Sequence, residues 1–274
     1  MRILYLSDLH GRTKAYFEAL ERAKAAGAQA IINGGDLYPL GRNLFEVQRS
    51  FLEGFFVEFL DLCHKDGITF LATLGNMDLR GLDDIFRRIL REVPGAFSLL
   101  EESANVGGYT FIGSAMTTDG PFSLKDRCLL DTSLSKVTRT SGPALLSDRQ
   151  GIHMVPDWHQ RITELPTLAE HLQGLPRAEN PEKTLYVIHQ PPYGTGLGII
   201  SSGADVGSHA VADFLVESGA LLALHGHIHE SPFSGGIWQS RLGRTICLQP
   251  GQLSGNGCVT VTIDLETLHF DRRC

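Results

Sequence analysis

Short apolar segments alternate with longer amphipathic segments through the first hundred residues of the chain. Residues 3–7, 30–33 and 68–74 are mostly apolar, which is typical of strands buried on both faces of a sheet. Each run is followed by a segment whose apolar residues recur at helical spacing. This alternation of strand and helix predicts a mostly parallel sheet in an α/β fold.

Start and stop signals support the three predicted helices. Thr13 can cap the first helix and Gly27 can end it, the second ends before Gly67, and Pro94 stops the third. In the second helix we expect the Phe51-Phe55-Phe59 stripe to belong to the core, although an exposed part could form a dimer face. Each helix carries apolar residues on one face. These faces consist of Phe17, Leu20 and Ala23 in the first helix, Val47, Phe51, Phe55, Phe59 and Leu62 in the second, and Leu82, Ile85, Phe86 and Ile89 in the third.

The pattern changes after residue 100. Residues 105–113 are typical of a strand beside a Gly-Gly turn. Residues 117–155 are polar and lack a clear period, so we interpret them as a surface excursion that could act as a lid near a site. A helix is predicted over residues 158–172, and Pro166 predicts a break within it.

The last hundred residues return to short apolar runs. Residues 184–188 and 220–224 are predicted strands, and between them lie a Gly/Ser-rich loop at 194–207 and a helix capped by Ser208. Further runs in the tail are expected to form antiparallel strands. They lie near residues 237–239, 245–248, 259–263 and 267–270.

Composition narrows the class of protein. The 274 residues are 42% hydrophobic, enough to bury a large core, and we expect one domain over residues 1–274. The net charge of −7, without a Lys/Arg cluster, argues against a nucleic-acid partner. No apolar run is long enough to span a bilayer, and residues 1–6 leave no room for a signal peptide before the first motif. The five cysteines lack Cys-x-x-Cys spacing, so we expect reduced thiols and a cytoplasmic location.

Five predicted strands end in clusters of oxygen- and nitrogen-bearing side chains. Open α/β sheets place their sites at the carboxyl ends of strands, where such loops can converge. A single Asp or His after a strand is usually a turn or capping residue, but five clusters together indicate a site for two metal ions. The clusters are Asp-x-His at 8–10, Gly-Gly-Asp at 34–36, Gly-Asn-Met-Asp at 75–78, His-Gln-Pro-Pro at 189–192 and Gly-His-Ile-His at 226–229.

The first metal ion is expected to bind at the two ends of this pattern. Asp8 and His10 are two residues apart and can hold one ion from a single turn. His229 can complete that site. Mixed Asp, Asn and His ligation suits manganese, iron, cobalt, nickel or zinc, and does not select one of them.

The second ion is expected to bind to Asn76, His189 and His227, with Asp36 as a carboxylate that bridges the two ions. Two divalent ions about 3.5–4 Å apart can hold a bridging hydroxide at neutral pH and stabilise an in-line displacement. The reaction that fits is attack on a phosphorus ester, because its catalysis consists mainly of positioning and charge neutralisation.

The five clusters resemble the signature blocks of the calcineurin-like metallophosphoesterases in order, ligand type and position at strand ends. The resemblance runs from residue 3 to about residue 251, apart from residues 117–155. It implies a four-layer α/β/β/α sandwich with a dinuclear centre at the strand ends, and the same ligand assignments. In the tail, Gln249-Pro250-Gly251 resembles the family's Asn-Pro-Gly turn, with Gln in place of Asn.

Met77 departs from the family pattern. The resemblance implies a His here that contacts the phosphate and assists the leaving group, but a thioether can neither donate a proton nor carry charge. Losing a general acid costs about 10²–10⁴ in rate when the leaving group needs a proton. We therefore assign no catalytic residue. The resemblance implies phosphodiesterase activity in family members that lack this His, so we expect a phosphodiesterase acting on a small phosphodiester. Asp78, which would orient that His, is expected to serve as a helix N-cap or first-turn carboxylate.

Two other functions stay open at this point. A non-catalytic scaffold that binds protein partners would fit Met77, but it would not need all seven ligands. A nuclease of the same fold is disfavoured by the acidic charge. The chain lacks Gly-x-Ser-x-Gly, so a serine hydrolase has no support.

Seven other histidines are not assigned to the metal site, and six of them have an expected role. His225 precedes its turn and is expected to be a packed strand-end residue and not a replacement acid. The others are expected to be surface or capping residues, namely His153, His159, His171, His209 and His269.

Overall fold

Two six-stranded sheets lie face to face in the protein. The structure, a computed structural model, describes residues 1–177, 179–252, 255 and 257–274. In spatial order the first sheet contains β16 (His269–Arg273), β15 (Thr260–Asp264), β1 (Arg2–Leu6), β2 (Ala30–Asn33), β3 (Thr69–Ala72) and β4 (Ala96–Ser98). The second contains β13 (Gln239–Leu242), β14 (Thr245–Leu248), β12 (Leu222–Leu224), β11 (Thr184–Ile188), β6 (Tyr109–Ser114) and β5 (Ser103–Val106).

Helices pack on the outer face of each sheet. The first sheet is covered by α1 (Thr13–Ala26), α2 (Leu44–Phe51), α3 (Val57–Lys65) and α4 (Asp83–Glu92). After α5 (Trp158–Thr163), the second sheet is covered by α6 (Leu168–Gln173) and α7 (His209–Ser218), and α8 (Ser231–Ser234) is a single turn. Short 3₁₀ turns occur at Arg80–Leu82 and Pro181–Lys183.

The apolar core has three layers, because adjacent strand residues point to opposite faces. Phe70 packs against the helices, with its ring 5.9 Å from that of Phe56. Leu71, the next residue, lies in the layer between the two sheets. Tyr186 packs outward from the second sheet against Phe214 of α7, with ring centroids 4.9 Å apart. The expected α/β/β/α sandwich is therefore confirmed.

The second predicted helix is interrupted by a wider turn. A π-helical segment, Leu52–Phe56, joins α2 to α3. Phe51, Phe55 and Phe59 are spaced by four residues, and in an α-helix each such step drifts by about 40°. A wider turn reduces this drift, and Phe51 and Phe59 are buried while Phe55 is partly buried. The expectation that this stripe belongs to the core is confirmed.

Several other element boundaries lie at the residues that the sequence predicts to start or end a helix. Gly27 ends α1 in the left-handed conformation, and Pro166 lies in the break between α5 and α6. Ser208 caps α7 by accepting a hydrogen bond from the Val211 N–H. The predicted cap at Thr13 is wrong, because Thr13 is already helical and Arg12 precedes it without a side-chain capping bond.

The tail is only partly antiparallel. β15 pairs antiparallel with both β1 and β16, as expected. β14 pairs antiparallel with β13 but parallel with β12, so the expectation for this strand is wrong on one side. The chain between β12 and β14 contains α8 and β13, and this length lets β14 return in the direction of β12.

Residues 117–155 contain more order than their composition predicts. β7 (Thr117–Thr118) pairs with β8 (Cys128–Leu129), and β9 (Ala144–Asp148) forms a hairpin with β10 (Gly151–Val155). Residues 124–129 are buried, so the segment does not run only over the surface. A hydropathy pattern does not predict this burial, because three of the buried residues, Lys125, Asp126 and Arg127, have charged side chains.

Within the described part of the chain, none of the helices combines the length and apolar character needed to cross a bilayer.

Candidate metal centre

All five predicted clusters meet at one edge of the two facing sheets. Asp8, Asp36 and Asn76 follow β1, β2 and β3 of the first sheet, whereas His189 and His227 follow β11 and β12 of the second. These strands are parallel within each sheet, so their carboxyl ends lie at the same edge. Face-to-face packing of the sheets then brings the two groups of side chains together.

The turns that carry these side chains have unusual backbone conformations. Asp8, His10, Asp36 and His227 have φ values of 60°, 46°, 51° and 71°, in the left-handed region. Such conformations persist where surrounding contacts hold them, and they cluster at functional sites. Here Asp8 N donates to Gly35 O and His10 N donates to Asp36 O, both at 2.9 Å. The first two turns therefore support each other.

One group of side chains contains Asp8, His10 and His229. His229 Nε2 lies 3.4 Å from Asp8 Oδ1 and 3.1 Å from His10 Nε2. One ligand atom from each of these residues and one from Asp36 all lie within 4.8 Å of one another. Four nitrogen and oxygen donors this close together can hold a divalent metal ion.

The second group is centred on Asn76. Asn76 Oδ1 lies 2.7 Å from His227 Nδ1 and 3.3 Å from His189 Nε2. Asp36 lies between the groups, with Oδ2 at 3.6 Å from His189 Nε2 and 3.7 Å from His10 Nε2.

The carboxylates of the cluster are held in the ionised form. Burial raises the pKa of Asp8, but the nearby rings of His229 and His189 outweigh burial and lower the pKa to about 2. Burial also raises the pKa of Asp36, and His189 and His10 outweigh it, so this pKa lies well below its ordinary range. Both residues are thus charged acceptors inside the protein.

Two histidines of the second group have opposite pKa shifts. Burial lowers the pKa of His189, but the carboxylates of Asp36 and Asp8 outweigh burial and raise the pKa to about 9. Burial, with the repulsion of His189, lowers the pKa of His227 to about 4. A bound cation in place of the proton on His189 would neutralise the negative charge of the Asp36 and Asp8 carboxylates.

The residues present fit a metal centre. Asp8 Oδ2 and His10 Nδ1 are buried without a hydrogen-bond partner. A buried unpaired carboxylate oxygen is costly, and a bound cation removes that cost. The donor set of carboxylate, amide oxygen and imidazole suits first-row transition ions.

Asp78 does not cap a helix, and that expectation is wrong. Its carboxylate accepts hydrogen bonds from the N–H groups of Leu37 at 3.1 Å, Tyr38 at 2.8 Å and Gly75 at 2.9 Å. Burial, with the neighbouring Asp36 carboxylate, raises the pKa of Asp78 to about 7. Asp78 ties the turn that carries Asn76 to the turn that carries Asp36.

Two buried glutamines support the turns, and only one of them drew attention in the sequence. The side-chain amide of Gln249 donates to the carbonyls of Gly226 and Ile228 in the Gly-His-x-His turn. Gln48 of α2 donates to Met77 O at 2.8 Å and accepts from Leu79 N at 3.0 Å. Gln48 was missed because a polar residue within an amphipathic helix is usually exposed.

His225 is a packed histidine, as expected. It is fully buried, and its Nδ1 lies 2.9 Å from Ile188 O. Burial lowers its pKa to about 4. Among the five histidines expected at surface or capping positions, His171 Nε2 lies 2.8 Å from Glu101 Oε2. His209 is the first residue of α7, with its ring 4.0 Å from that of Tyr193.

Two surfaces border the cluster. A cavity of about 460 Å³ opens beside Asp8, His10 and His229, and Leu40 and Phe233 lie in its wall. On the other side, the Phe122 ring lies 6.3 Å from the His227 ring at an interplanar angle of 72°. Phe122 belongs to the 117–155 segment, so this segment reaches the site.

The fold resembles solved structures at low sequence identity. The crystal structure of a Thermus thermophilus protein, TT1561, is 17% identical, with a TM-score of 0.58 over 99% of this chain and 97% of that chain. A looser likeness, with a TM-score of 0.47 and 12% identity, covers all of this chain and 99% of an archaeal phosphodiesterase. A dimetal phosphatase from Danio rerio gives 0.48 and 8%, over 95% and 92% of the two chains.

No curated protein matches the sequence. The family model for calcineurin-like phosphoesterases, in contrast, matches residues 1–231. This range includes the five strand-end clusters and the edge at which they meet. The chain belongs to the calcineurin-like phosphoesterase family.

Proposed function

We propose that the protein is a phosphodiesterase that uses two divalent transition-metal ions to hydrolyse a small phosphodiester. The observation that carries this proposal is the meeting of seven donor side chains, from both sheets, at one edge. They are Asp8, His10, Asp36, Asn76, His189, His227 and His229.

The distances support two ligand groups with a shared carboxylate. Asp8, His10 and His229 would hold the first ion, because their donor atoms are mutually close. Asp36 Oδ2 is almost equally distant from His10 and from a histidine of the second group, His189. A carboxylate in that position would be available as a ligand to both ions.

Asn76, His189 and His227 would hold the second ion. When bound, the two ions would supply the attacking nucleophile from water and neutralise charge on the phosphoryl oxygens. Asn76 Oδ1 faces the two imidazoles. This leaves the side-chain NH2 group of Asn76 to donate a hydrogen bond to a phosphoryl oxygen. A donor fixed in this way would stabilise the negative charge that develops on that oxygen during the reaction.

Met77 is the basis for preferring a diester over a monoester. Its backbone N–H donates to Asp36 Oδ1 at 2.8 Å and its carbonyl accepts from Gln48, so the residue is fixed beside the centre. Its thioether cannot protonate a leaving group. His225, the histidine weighed as a replacement acid, is fully buried, so a substrate cannot contact it. Substrates whose leaving groups need no proton are therefore favoured.

The first experiment compares bis(4-nitrophenyl) phosphate with 4-nitrophenyl phosphate on the manganese-loaded protein. Diester turnover well above monoester turnover is expected. His227→Ala should abolish turnover of both esters, whereas His153→Ala, on the exposed β10 hairpin, should leave it unchanged. Absence of turnover with manganese, iron, cobalt, nickel and zinc would favour the non-catalytic scaffold instead.

A second experiment tests the role of Met77 directly. Met77→His should raise turnover of phenyl phosphate, whose leaving group benefits from a proton, relative to 4-nitrophenyl phosphate, because it offers an imidazole at the position of the missing acid. The expected gain in that ratio is at least about tenfold, below the roughly 10²–10⁴ that a well-positioned general acid supplies. An unchanged ratio would mean that Met77 does not set the preference for leaving groups that need no proton.

We also propose a cytoplasmic location. All five cysteines are free, and four of them are buried as thiols. This usage fits a reducing compartment.

A further inference from the structure

We propose that Phe122 forms a binding surface for an aromatic group esterified to the substrate phosphate, and so determines specificity. The inference rests on the proposed phosphoesterase function. It names a class of substrate, aryl or similarly flat esters of phosphate, and assigns residues 117–155 a role as a fixed wall of the site.

The position of Phe122 supports this role. Its ring lies edge-on to His227, a proposed ligand of the second ion, with centroids 6.3 Å apart. The ring also lies near Gly120, where an added Cβ would be 3.4 Å from Phe122 Cδ2. The side chain is nevertheless 47% exposed. A large apolar surface is therefore presented beside the metal centre and is not used by the core.

A buried ion pair fixes the turn that carries Phe122. Lys125 Nζ lies 2.7 Å from Asp119 Oδ1 and donates to Gly120 O at 2.6 Å. The two charged side chains are 0% and 2% exposed. Trp158 Nε1 also donates to Asp119, at 3.1 Å. A buried pair gains little net stability after desolvation, so its effect here is to hold one geometry.

The turn is also tied to the site and to the rest of the segment. Thr118 N and Oγ1 donate to Gln190 Oε1 at 3.1 and 3.2 Å, and Gln190 directly follows His189. Ser141 N donates to Pro121 O at 2.9 Å. The backbone just before Phe122 is therefore tied to three other parts of the chain. A pre-organised aromatic side chain binds a flat group at low cost in conformational entropy.

The test measures binding of two non-hydrolysable probes, phenylphosphonate and methylphosphonate, to the manganese-loaded protein by calorimetry. Both probes offer the same phosphonate oxygens, so the ratio of their dissociation constants isolates the contribution of the ring. Stacking on one aromatic residue should make phenylphosphonate bind about two- to tenfold more tightly. Phe122→Ala should remove that preference and leave methylphosphonate binding unchanged.

Matched variants separate this role from others. Phe17→Ala removes a phenylalanine that is 46% exposed on α1 and should leave the preference unchanged. If Phe122 only orients His227, Phe122→Ala would weaken both probes equally, which would overturn the proposal. Loss of the preference in Phe233→Ala but not in Phe122→Ala would also overturn it and place the aromatic group in the cavity beside His229.

Turnover of bis(4-nitrophenyl) phosphate, measured on the same samples, distinguishes the two proposals. If the protein hydrolyses the diester but Phe122→Ala does not change the preference for phenylphosphonate, only the role of Phe122 is rejected. If Phe122→Ala removes the preference for phenylphosphonate but the protein does not hydrolyse the diester, the aryl-binding surface is supported and the proposed enzymatic function is rejected. Failure of both probes to bind would reject the aryl surface.

Discussion

Asp78 Oδ1 accepts the backbone N–H of Tyr38 at 2.8 Å, across 40 positions of sequence. The same carboxylate accepts from Leu37 and Gly75, so one buried side chain joins two of the turns that form the candidate centre. The proposed ligands Asp36 and Asn76 lie on these turns. Their separation depends on a residue that would itself contact neither ion.

Asp78→Ala should therefore destabilise the protein and weaken metal binding together. Three buried N–H groups lose their acceptor, and the expected loss in free energy of unfolding is about 3 kcal/mol. Metal affinity should fall about 10–100-fold, as it does when residues that orient metal ligands are removed. Urea unfolding of the metal-free protein and manganese titration measure the two effects.

Asp84→Ala is the matched control for this variant. Asp84 is an exposed carboxylate of α4 paired with Arg149, and its removal should change neither measurement. Equal metal affinity in Asp78→Ala and the parent protein would contradict the positioning role.

Removing metal should lower thermal stability. Asp8 is buried with one carboxylate oxygen unpaired, and ions that bind only the folded state stabilise it by mass action. At an ion concentration 100 times the dissociation constant, this amounts to about 2.7 kcal/mol, which for a chain of this size is about 5–10 °C in melting temperature. Melts with manganese and with EDTA measure it.

His10→Ala should reduce that shift, because it removes a proposed ligand of the first ion. His153→Ala should retain the full shift. A melting temperature that responds neither to manganese nor to EDTA would argue against a metal centre in this protein.

Lys125→Met should be strongly destabilising, although residues 117–155 show no clear hydrophobic period. It leaves the Asp119 carboxylate buried without its cation, a change that costs about 3–5 kcal/mol. Denaturant unfolding measures the loss. Arg149→Met breaks an ion pair whose partners are both largely exposed and should have no measurable effect. Similar stabilities for the two variants would be the opposing result.

Thiol chemistry should distinguish one cysteine from the other four. Burial raises the pKa of Cys128 to about 11, and with it those of Cys63, Cys247 and Cys258 to about 12. Cys274 is exposed.

A disulfide reagent at pH 8 should therefore modify one thiol per native chain and five in urea. Raising the pH from 8 to 10 should not recruit the buried thiols, because their pKa values remain above that range and only the thiolate reacts. When folded Cys274→Ser is treated with the same reagent, mass spectrometry should detect no modified thiol. More than one fast-reacting thiol at pH 8 would mean that the buried cysteines open to solvent.

Much of the candidate site could be predicted because its signals are local. The Asp-x-His and Gly-His-x-His turns directly follow short apolar runs. A strand that ends in a polar turn can be predicted from neighbouring residues alone. The parallel arrangement of β1, β2 and β3 follows from the alternation of strand and helix. The assignment of Asp78 was wrong because its three partners lie on turns that no local pattern connects.

By itself the sequence determined the alternation of strand and helix in the first half, the polar clusters at the strand ends and the types of donor atom that they offer. These depend on periodicity, turn chemistry and side-chain identity, which act over a few residues. Only the tertiary structure decided that Gln48 and Asp78 hold the turns, that residues 124–129 are buried and that Phe122 lies beside His227. These contacts depend on how two sheets and their loops pack, because burial and distance between remote residues are properties of the whole packed chain.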